Sequence, residues 1–204
     1  MDAIRKYVKS LTHIVAKWIN NISNGTITAN QITVTSLLLH IPIFFAIVGG
    51  YNWLAAIMIV IFGLLDSVDG ELARLQGRVS KVGMLLDAST DRMKEAIIFM
   101  AIALGFALDD RPWAVLIAVA AITGSMSVSY IKAKGETALK DSKLSTQEIN
   151  RVFQSGLMRY EVRMAVLVLG LILNRLMIAV ALIAILSWLT ALYRLVTISK
   201  KIED

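Results

Sequence analysis

Between Lys17 and Asp66 the chain runs for 48 residues without one charged side chain. Crossing the hydrocarbon of a bilayer takes roughly 20 apolar residues, so this stretch holds two crossings. Gly49-Gly50 supplies the turn between them, which predicts helices over 29–48 and 52–75. Further uncharged segments cover 96–108, 112–131 and 176–193, and a shorter one runs from Met164 to Asn174. The segment 96–108 is too short to cross alone, so its helix is expected to begin near Ser80. The helix after Arg163 is likewise expected to extend N-terminally and take its arginines with it. The expected fold is all-α: an integral membrane protein of six transmembrane helices forming one domain over 1–204, preceded by an amphipathic helix.

Composition agrees with that reading. The 204 residues are 57% hydrophobic and 18% charged, with mean hydropathy +0.68, where a soluble domain is about 25% charged. The chain has no cysteine, which excludes disulfides, thiol catalysis and thiolate metal sites. A net charge of +6 on so apolar a chain faces lipid phosphate rather than nucleic acid. With six crossings, 19 of the 21 basic residues fall on one side, leaving only Arg111 and Arg175 on the other. Positive charge marks the cytoplasmic side, so both termini are expected there.

Residues 1–24 lack the continuous apolar core and small-residue cleavage site of a signal peptide. Instead Ile4, Val8, Leu11, Val15, Trp18 and Ile22 recur at spacings of four and three, with Arg5, Lys6, Lys9 and Lys17 off that stripe. The pattern predicts a helix lying in the cytoplasmic interface; the alternative is a helix packed on the protein's own loops.

The uncharged second helix runs straight into Asp66-Ser-Val-Asp69-Gly70-Glu-Leu-Ala73-Arg74, and the third opens with Gly83-Met-Leu-Leu-Asp87-Ala-Ser-Thr-Asp91. Carboxylates at a membrane boundary are costly and usually functional. At 3.6 residues per turn, Asp66, Asp69, Gly70, Ala73 and Arg74 share about 140° of one helix face, and Gly83, Asp87 and Asp91 about 80° of the next. Adjacent antiparallel helices then bring four carboxylates together, and divalent cations relieve their repulsion. An all-oxygen donor set suits Mg²⁺, with Mn²⁺ the alternative. His13 and His40 are not placed to complete a zinc site and read as structural. Gly70, Ala73 and Gly83 would let a nucleotide and diphosphate approach the backbone, and Arg74 would hold phosphate oxygens; the bland alternative is small-residue helix packing beside a solvated charge cluster.

Residues 66–91 match D-x2-D-G-x2-A-R-x8-G-x3-D-x3-D at all eight specified positions, a coincidence expected on the order of once in 10⁹ starts. This motif resembles the signature of the CDP-alcohol phosphotransferases, integral membrane enzymes of phospholipid synthesis. The resemblance implies transfer of a substituted phosphoryl group from a CDP-linked lipid, diacylglycerol or archaeal diether, to an acceptor hydroxyl, with release of CMP. It implies two Mg²⁺ ions on Asp66, Asp69, Asp87 and Asp91, with Asp91 also the general base. It implies a CDP site lined by Gly70, Ala73, Arg74 and Gly83, and a homodimer. Thr28-Ala29-Asn30-Gln31-Ile32-Thr33 resembles the family's P-N-x-x-T segment with alanine for proline, giving Asn30 and Thr33 a nucleotide role; helix capping by Thr28 or Asn30 is the alternative.

Tyr130-Ile-Lys132-Ala-Lys134 resembles the Y-x-[KR]-A-R segment of members that use inositol phosphate, with lysine for the arginine. Gly156-Leu-Met-Arg159-Tyr-Glu-Val-Arg163 resembles the G-x-x-E-R-x-E-R-L that follows, and Arg194 matches an arginine ending the last helix. Lys132, Lys134, Arg163 and Arg194 would suit an acceptor carrying its own phosphate, inositol phosphate first, with glycerol phosphate the rival; the alternative is ordinary flanking charge. The polar stretch 135–155, with Lys140, Lys143 and Glu148, reads as a long loop. Ala114, Ala118, Ala121 and Ser125 share one helix face suited to close packing, within the chain or across a dimer.

Two other classes compete. Intramembrane prenyltransferases also bind Mg²⁺-diphosphate through aspartates, but in longer chains with two distant motifs. A cation transporter would use intramembrane carboxylates, yet leaves Gly70, Ala73, Arg74 and Gly83 unexplained.

Overall fold

Helix ends fall where turn residues interrupt the apolar runs. The structure, a computed structural model, describes residues 2–139 and 156–203. Among these are eight helices and no strand: α1 (Asp2–Ile22), α2 (Ala29–Leu38), α3 (His40–Val48), α4 (Asn52–Leu75), α5 (Lys81–Leu108), α6 (Pro112–Ala138), α7 (Tyr160–Ile172) and α8 (Leu176–Glu203). Among the described residues, four helical stretches are long and apolar enough to cross a membrane: Ala29–Val48, which is α2 and α3 together, Asn52–Leu75, Pro112–Ala138 and Leu176–Ile202.

Six crossings were expected; the two helices outside this set, α5 and α7, differ from the other four for physical reasons. The first fifteen residues of α5 carry Lys81, Asp87, Asp91, Arg92, Lys94 and Glu95, so only the remainder is membrane-like. Helix α7 has 13 residues, about 20 Å at 1.5 Å per residue, short of the roughly 30 Å hydrocarbon core. Its start at Tyr160 does place Arg163 inside the helix, with Arg159 at the N-cap.

The predicted bounds 29–48 and 52–75 hold, and so does the turn between them. Gly50 has φ +73°, the left-handed conformation in which glycine has no steric cost. Gly50 N–H donates to Ile47 O at 3.0 Å and Tyr51 N–H to Ala46 O at 2.8 Å, a Schellman closure. The first of these segments is nevertheless broken at Leu39. Pro42 lacks an N–H, and its ring clashes with the carbonyl four residues earlier, so it is accommodated in the first turn of a new helix. His40 reaches back across the break, its Nδ1 2.8 Å from Ser36 O; a carbonyl only accepts, so Nδ1 carries the proton.

The chain divides into two units, residues 1–101 and 102–204. In the first, α1 packs on the C-terminal half of α4: Ala16, Ile32, Val68 and Leu72 form a buried cluster flanked by Val15, Ile19 and Leu65. The predicted stripe of α1 is largely left outside that contact, since Leu11, Trp18 and Ile22 are exposed. Ile4, Arg5 and Lys6 lie outside the described side chains. Gln76 Nε2, at the end of α4, donates to Asn20 Oδ1 at 3.0 Å and to Ile27 O at 2.8 Å. These bonds hold the α1–α2 connection against the aspartate-bearing end of α4.

In the second unit, α8 packs against both α6 and α7. Ala114, Ala118, Ala121 and Ser125 are all buried, so this small-residue face is used within the chain. One helical turn along, a Cβ on Gly124 would lie 3.2 Å from Ser187 Cβ of α8. Gly170 of α7 faces Ala179 of α8 so closely that an added Cβ would overlap the alanine methyl. The stretch expected as a loop from 135 is instead helical through Ala138, with Leu139 buried at the C-cap; Lys140, Lys143 and Glu148 lie outside the described residues.

Candidate active site

Two consecutive helices of the first unit build the acidic centre. Asp66 and Asp69 occupy adjacent turns of α4, and Asp87 and Asp91 adjacent turns of α5. Helix α5 is started by Ser80, whose Oγ accepts from Gly83 N–H at 3.0 Å, so the helical register that aligns Gly83, Asp87 and Asp91 is set at its first turn. One carboxylate oxygen from each of Asp66, Asp69 and Asp87 lies within 4.8 Å of the others. Asp69 is buried, Asp66 half-buried and Asp87 exposed. Three hard oxygen donors at that separation fit a divalent cation.

Asp91 lies outside this trio but beside Asp66. Its Oδ1 is buried and has no hydrogen-bond partner among the described residues. The nearest cation is Lys94, whose Nζ lies 3.6 Å from that oxygen and forms an ion pair with Asp66 Oδ1. Lys94 was not singled out in the sequence, although it falls on the same face of α5 as Asp87 and Asp91. That shared face was the available signal.

Of the P-N-x-x-T-like pair, Thr33 reaches the acidic centre directly. It is buried, and its hydroxyl lies 2.6 Å from Asp69 Oδ2 and 3.0 Å from Ala29 O. Asn30 is exposed, and its Oδ1 would sit 3.3 Å from a Cβ added to Gly83. Capping of α2 falls to Thr28 in a full capping box: its Oγ1 accepts from Gln31 N–H at 3.3 Å, while Thr28 N–H donates to Gln31 Oε1 at 2.8 Å. The alternative of Asn30 as the cap is thereby set aside.

Arg74 lies over Gly70, where an added Cβ would come 3.6 Å from its Nη2. The same nitrogen donates to Glu71 Oε1 at 2.8 Å, and Glu71 Oε2 is 3.5 Å from His13 Nδ1 on α1. Ala73 is half-buried one turn beyond Gly70. Glu71 is a further residue absent from the sequence-derived set, and it anchors the guanidinium expected to meet phosphate.

The second unit separates the four expected acceptor cations into two kinds. Arg163 and Arg194 are 1% and 3% exposed. Arg163 Nη1 donates to Met158 O at 2.7 Å, and Arg194 Nη1 to Val128 O at 3.3 Å. Both lie against the segment Gly156–Met158: Met158 N–H donates to Thr190 Oγ1 at 3.2 Å, and a Cβ on Gly156 would come 2.7 Å from Thr190 Cγ2 and 3.4 Å from Arg194 Nε. Lys132 and Lys134 are exposed on α6, the first 3.7 Å from Glu136 and the second 5.9 Å from the centre of the Tyr130 ring.

Membrane-length helices carrying a carboxylate centre define an integral membrane protein with an acidic, cation-suited site. The chain belongs to the CDP-alcohol phosphatidyltransferase family, whose model matches residues 26–199, and it is a membrane transferase of phospholipid synthesis. It is 30% identical to the archaetidylinositol phosphate synthase of Pyrococcus horikoshii over 203 residues, covering 100% of this chain and 98% of that protein. The synthase of the same name from Aeropyrum pernix is 34% identical over 152 residues, 72% of this chain and 70% of the other. In fold the chain is similar to a crystal structure of Mycobacterium tuberculosis phosphatidylinositol phosphate synthase with CDP-DAG bound. The TM-score is 0.77 at 23% identity, covering 93% of this chain and 94% of that one. A second crystal structure of that enzyme, in complex with manganese and citrate, gives a TM-score of 0.78 at 23% identity over 92% and 88% of the two chains. Family membership sets aside the prenyltransferase and transporter readings.

Proposed function

We propose that the chain transfers the lipid-bearing phosphoryl group of a CDP-linked lipid to a hydroxyl of inositol phosphate. The acceptor oxygen bonds to the phosphorus that carries the lipid, the bond from that phosphorus to the bridging diphosphate oxygen breaks, and CMP leaves. The observation that carries this reading is the meeting of Asp66, Asp69 and Asp87 oxygens within 4.8 Å, beside a fourth aspartate whose Oδ1 accepts no described hydrogen bond. The names of the Pyrococcus and Aeropyrum relatives, and the CDP-DAG in the Mycobacterium crystal, support the donor and acceptor classes.

Asp66, Asp69, Asp87 and Asp91 are the residues proposed to hold two Mg²⁺, or Mn²⁺. Bound there, the ions would neutralise the diphosphate and polarise the reacting phosphorus. Asp91 takes the proton of the acceptor hydroxyl on Oδ1. Thr33 fixes Asp69, and Arg74, braced by Glu71, holds phosphate oxygens of the donor. Gly70, Ala73, Gly83, Asn30 and Thr33 line the nucleotide site. Arg163 and Arg194 hold the phosphate of the acceptor, with Lys132 and Lys134 adding positive charge nearer water.

The topology proposed with this activity has six crossings, counting α5 and α7, with the site and both termini on the cytoplasmic side. The exposed Leu11, Trp18 and Ile22 support α1 as an interfacial helix, within a single catalytic domain over 1–204 that assembles as a homodimer. The test is CMP release from CDP-diacylglycerol and from its archaeal diether counterpart, with inositol phosphate, glycerol phosphate, inositol and serine offered in turn. Release that depends on inositol phosphate is expected. Preference for an unphosphorylated alcohol would remove the acceptor-phosphate assignment, and preference for glycerol phosphate would move it to the nearest rival.

A further inference from the structure

Lys94 is 1% exposed, among the most deeply buried ionised side chains described in the first unit. A lysine near a membrane boundary ordinarily extends its ammonium to water along its flexible stem. Burial of an ammonium is costly unless a charge partner compensates, and here the partners are two aspartates of the acidic centre. Nζ forms an ion pair with Asp66 Oδ1 across to α4, and lies 3.6 Å from Asp91 Oδ1 on its own helix. The neighbouring charges of α5 are engaged elsewhere: Arg92 Nη1 donates to Glu95 Oε2 at 2.6 Å. The Lys94 charge is therefore directed at the aspartates.

The geometry points to Lys94 as a resident counter-ion of the aspartate centre, a positioning residue that holds Asp66 and Asp91 together and lowers the affinity of the site for divalent metal. This inference rests on the metal reading proposed above. Asp66 is at once the ammonium's partner and one of the three carboxylates whose oxygens cluster within 4.8 Å. A divalent cation must share Asp66 with a positive charge that cannot retreat to solvent, and like charges at a few ångströms repel strongly in a partly buried site. Without the metal, the same ammonium offsets part of the repulsion among four carboxylates. A single residue then makes the empty centre stable and the filled one less tightly bound, which keeps the ions exchangeable.

The test uses the full chain in lipid nanodiscs and reads Mn²⁺ binding by the EPR signal of the free ion, together with thermal melting. Lys94→Met keeps an unbranched side chain, one atom shorter, and removes its charge; Lys94→Gln keeps a hydrogen-bond donor and serves if the methionine variant folds poorly. Both variants should bind Mn²⁺ about tenfold or more tightly than wild type. Both should melt lower than wild type without metal and gain more in melting temperature on Mn²⁺ addition. Affinity unchanged within about twofold, or weakened, in both variants would overturn the inference while leaving the metal site in place, since it would show Lys94 acting only as a packing or orienting group. Wild-type protein with no saturable Mn²⁺ binding would instead remove the metal reading itself, and this inference with it.

Discussion

The hydroxyl of Thr33 lies 2.6 Å from Oδ2 of Asp69, 36 positions further along the chain. This bond joins the first transmembrane segment to the aspartate motif and holds the most buried carboxylate of the cluster in one orientation. A hydroxyl bonded to an ionised group contributes about 1.5–3 kcal/mol, and groups that orient metal ligands typically carry 10–100-fold effects on metal affinity or activity. Thr33→Val keeps the branched shape and removes the hydroxyl. The expected result is a loss of transfer rate within that range, partly restored by raised Mg²⁺. A rate equal to wild type at limiting Mg²⁺ would show the bond to be incidental.

Asp66→Asn and Asp87→Asn each remove a charge from the cluster. Transfer should be abolished while the helical content measured by circular dichroism is retained. Metal-free stability is expected to stay level or rise in Asp87→Asn, which relieves carboxylate repulsion, and to fall in Asp66→Asn, which takes the ion-pair partner from the buried Lys94. Turnover at the wild-type rate in either variant would exclude the proposed ligand role.

Asp91→Asn tests the base. Loss of general-base catalysis typically lowers kcat by about 10²–10⁴-fold, and here the donor KM should change far less than kcat. Because the proposed ligand set includes Asp91, Mn²⁺ binding is measured on the same preparation. A variant that binds Mn²⁺ normally and keeps its kcat would refute the base assignment.

Arg163→Ala and Arg194→Ala should raise the acceptor KM with little change in donor affinity, the signature of lost ground-state binding. Both arginines are buried and donate to backbone carbonyls, so a fall in melting temperature is expected alongside. Lys132→Ala and Lys134→Ala lie in water and should have smaller effects on both quantities. Equal effects from all four, or effects on the donor alone, would count against an acceptor-phosphate site at the arginines.

The native chain has no cysteine, so single cysteines report topology without background substitutions. Cysteines at Lys9 and Lys200 should react with a membrane-impermeant maleimide from the cytoplasmic face, and those at Asp109 and Asn174 from the opposite face. A nitroxide at position 18 should report a depth at the headgroup level. Labelling of Asp109 or Asn174 from the cytoplasmic face would break the six-crossing arrangement, and a fully aqueous nitroxide would remove α1 from the interface.

What the sequence determined here is what local periodicity and hydrophobicity determine. The uncharged run and Gly49-Gly50 placed helices at 29–48 and 52–75 because burial in hydrocarbon and the left-handed turn depend on residues within a few positions. The aspartates could be put on common helix faces for the same reason: spacings of three and four fix direction around a helix axis before any packing occurs. Tertiary structure decided which of those groups meet. Asp66, Asp69 and Asp87 converge, and Lys94 pairs with both Asp66 and Asp91; nothing in the spacing 87, 91, 94 separates a carboxylate of the centre from its counter-ion. Lys94 and Lys132 look alike as flanking lysines, yet one is sealed beside carboxylates and the other faces water, because burial depends on which helix packs over the side chain. Thr33 and Asp69, like Arg163 and the Met158 carbonyl it holds, are joined by the separation and rotation of packed helices or by the path of a connecting segment. Those quantities are set by the summed contacts of whole faces, and no short window of sequence contains them.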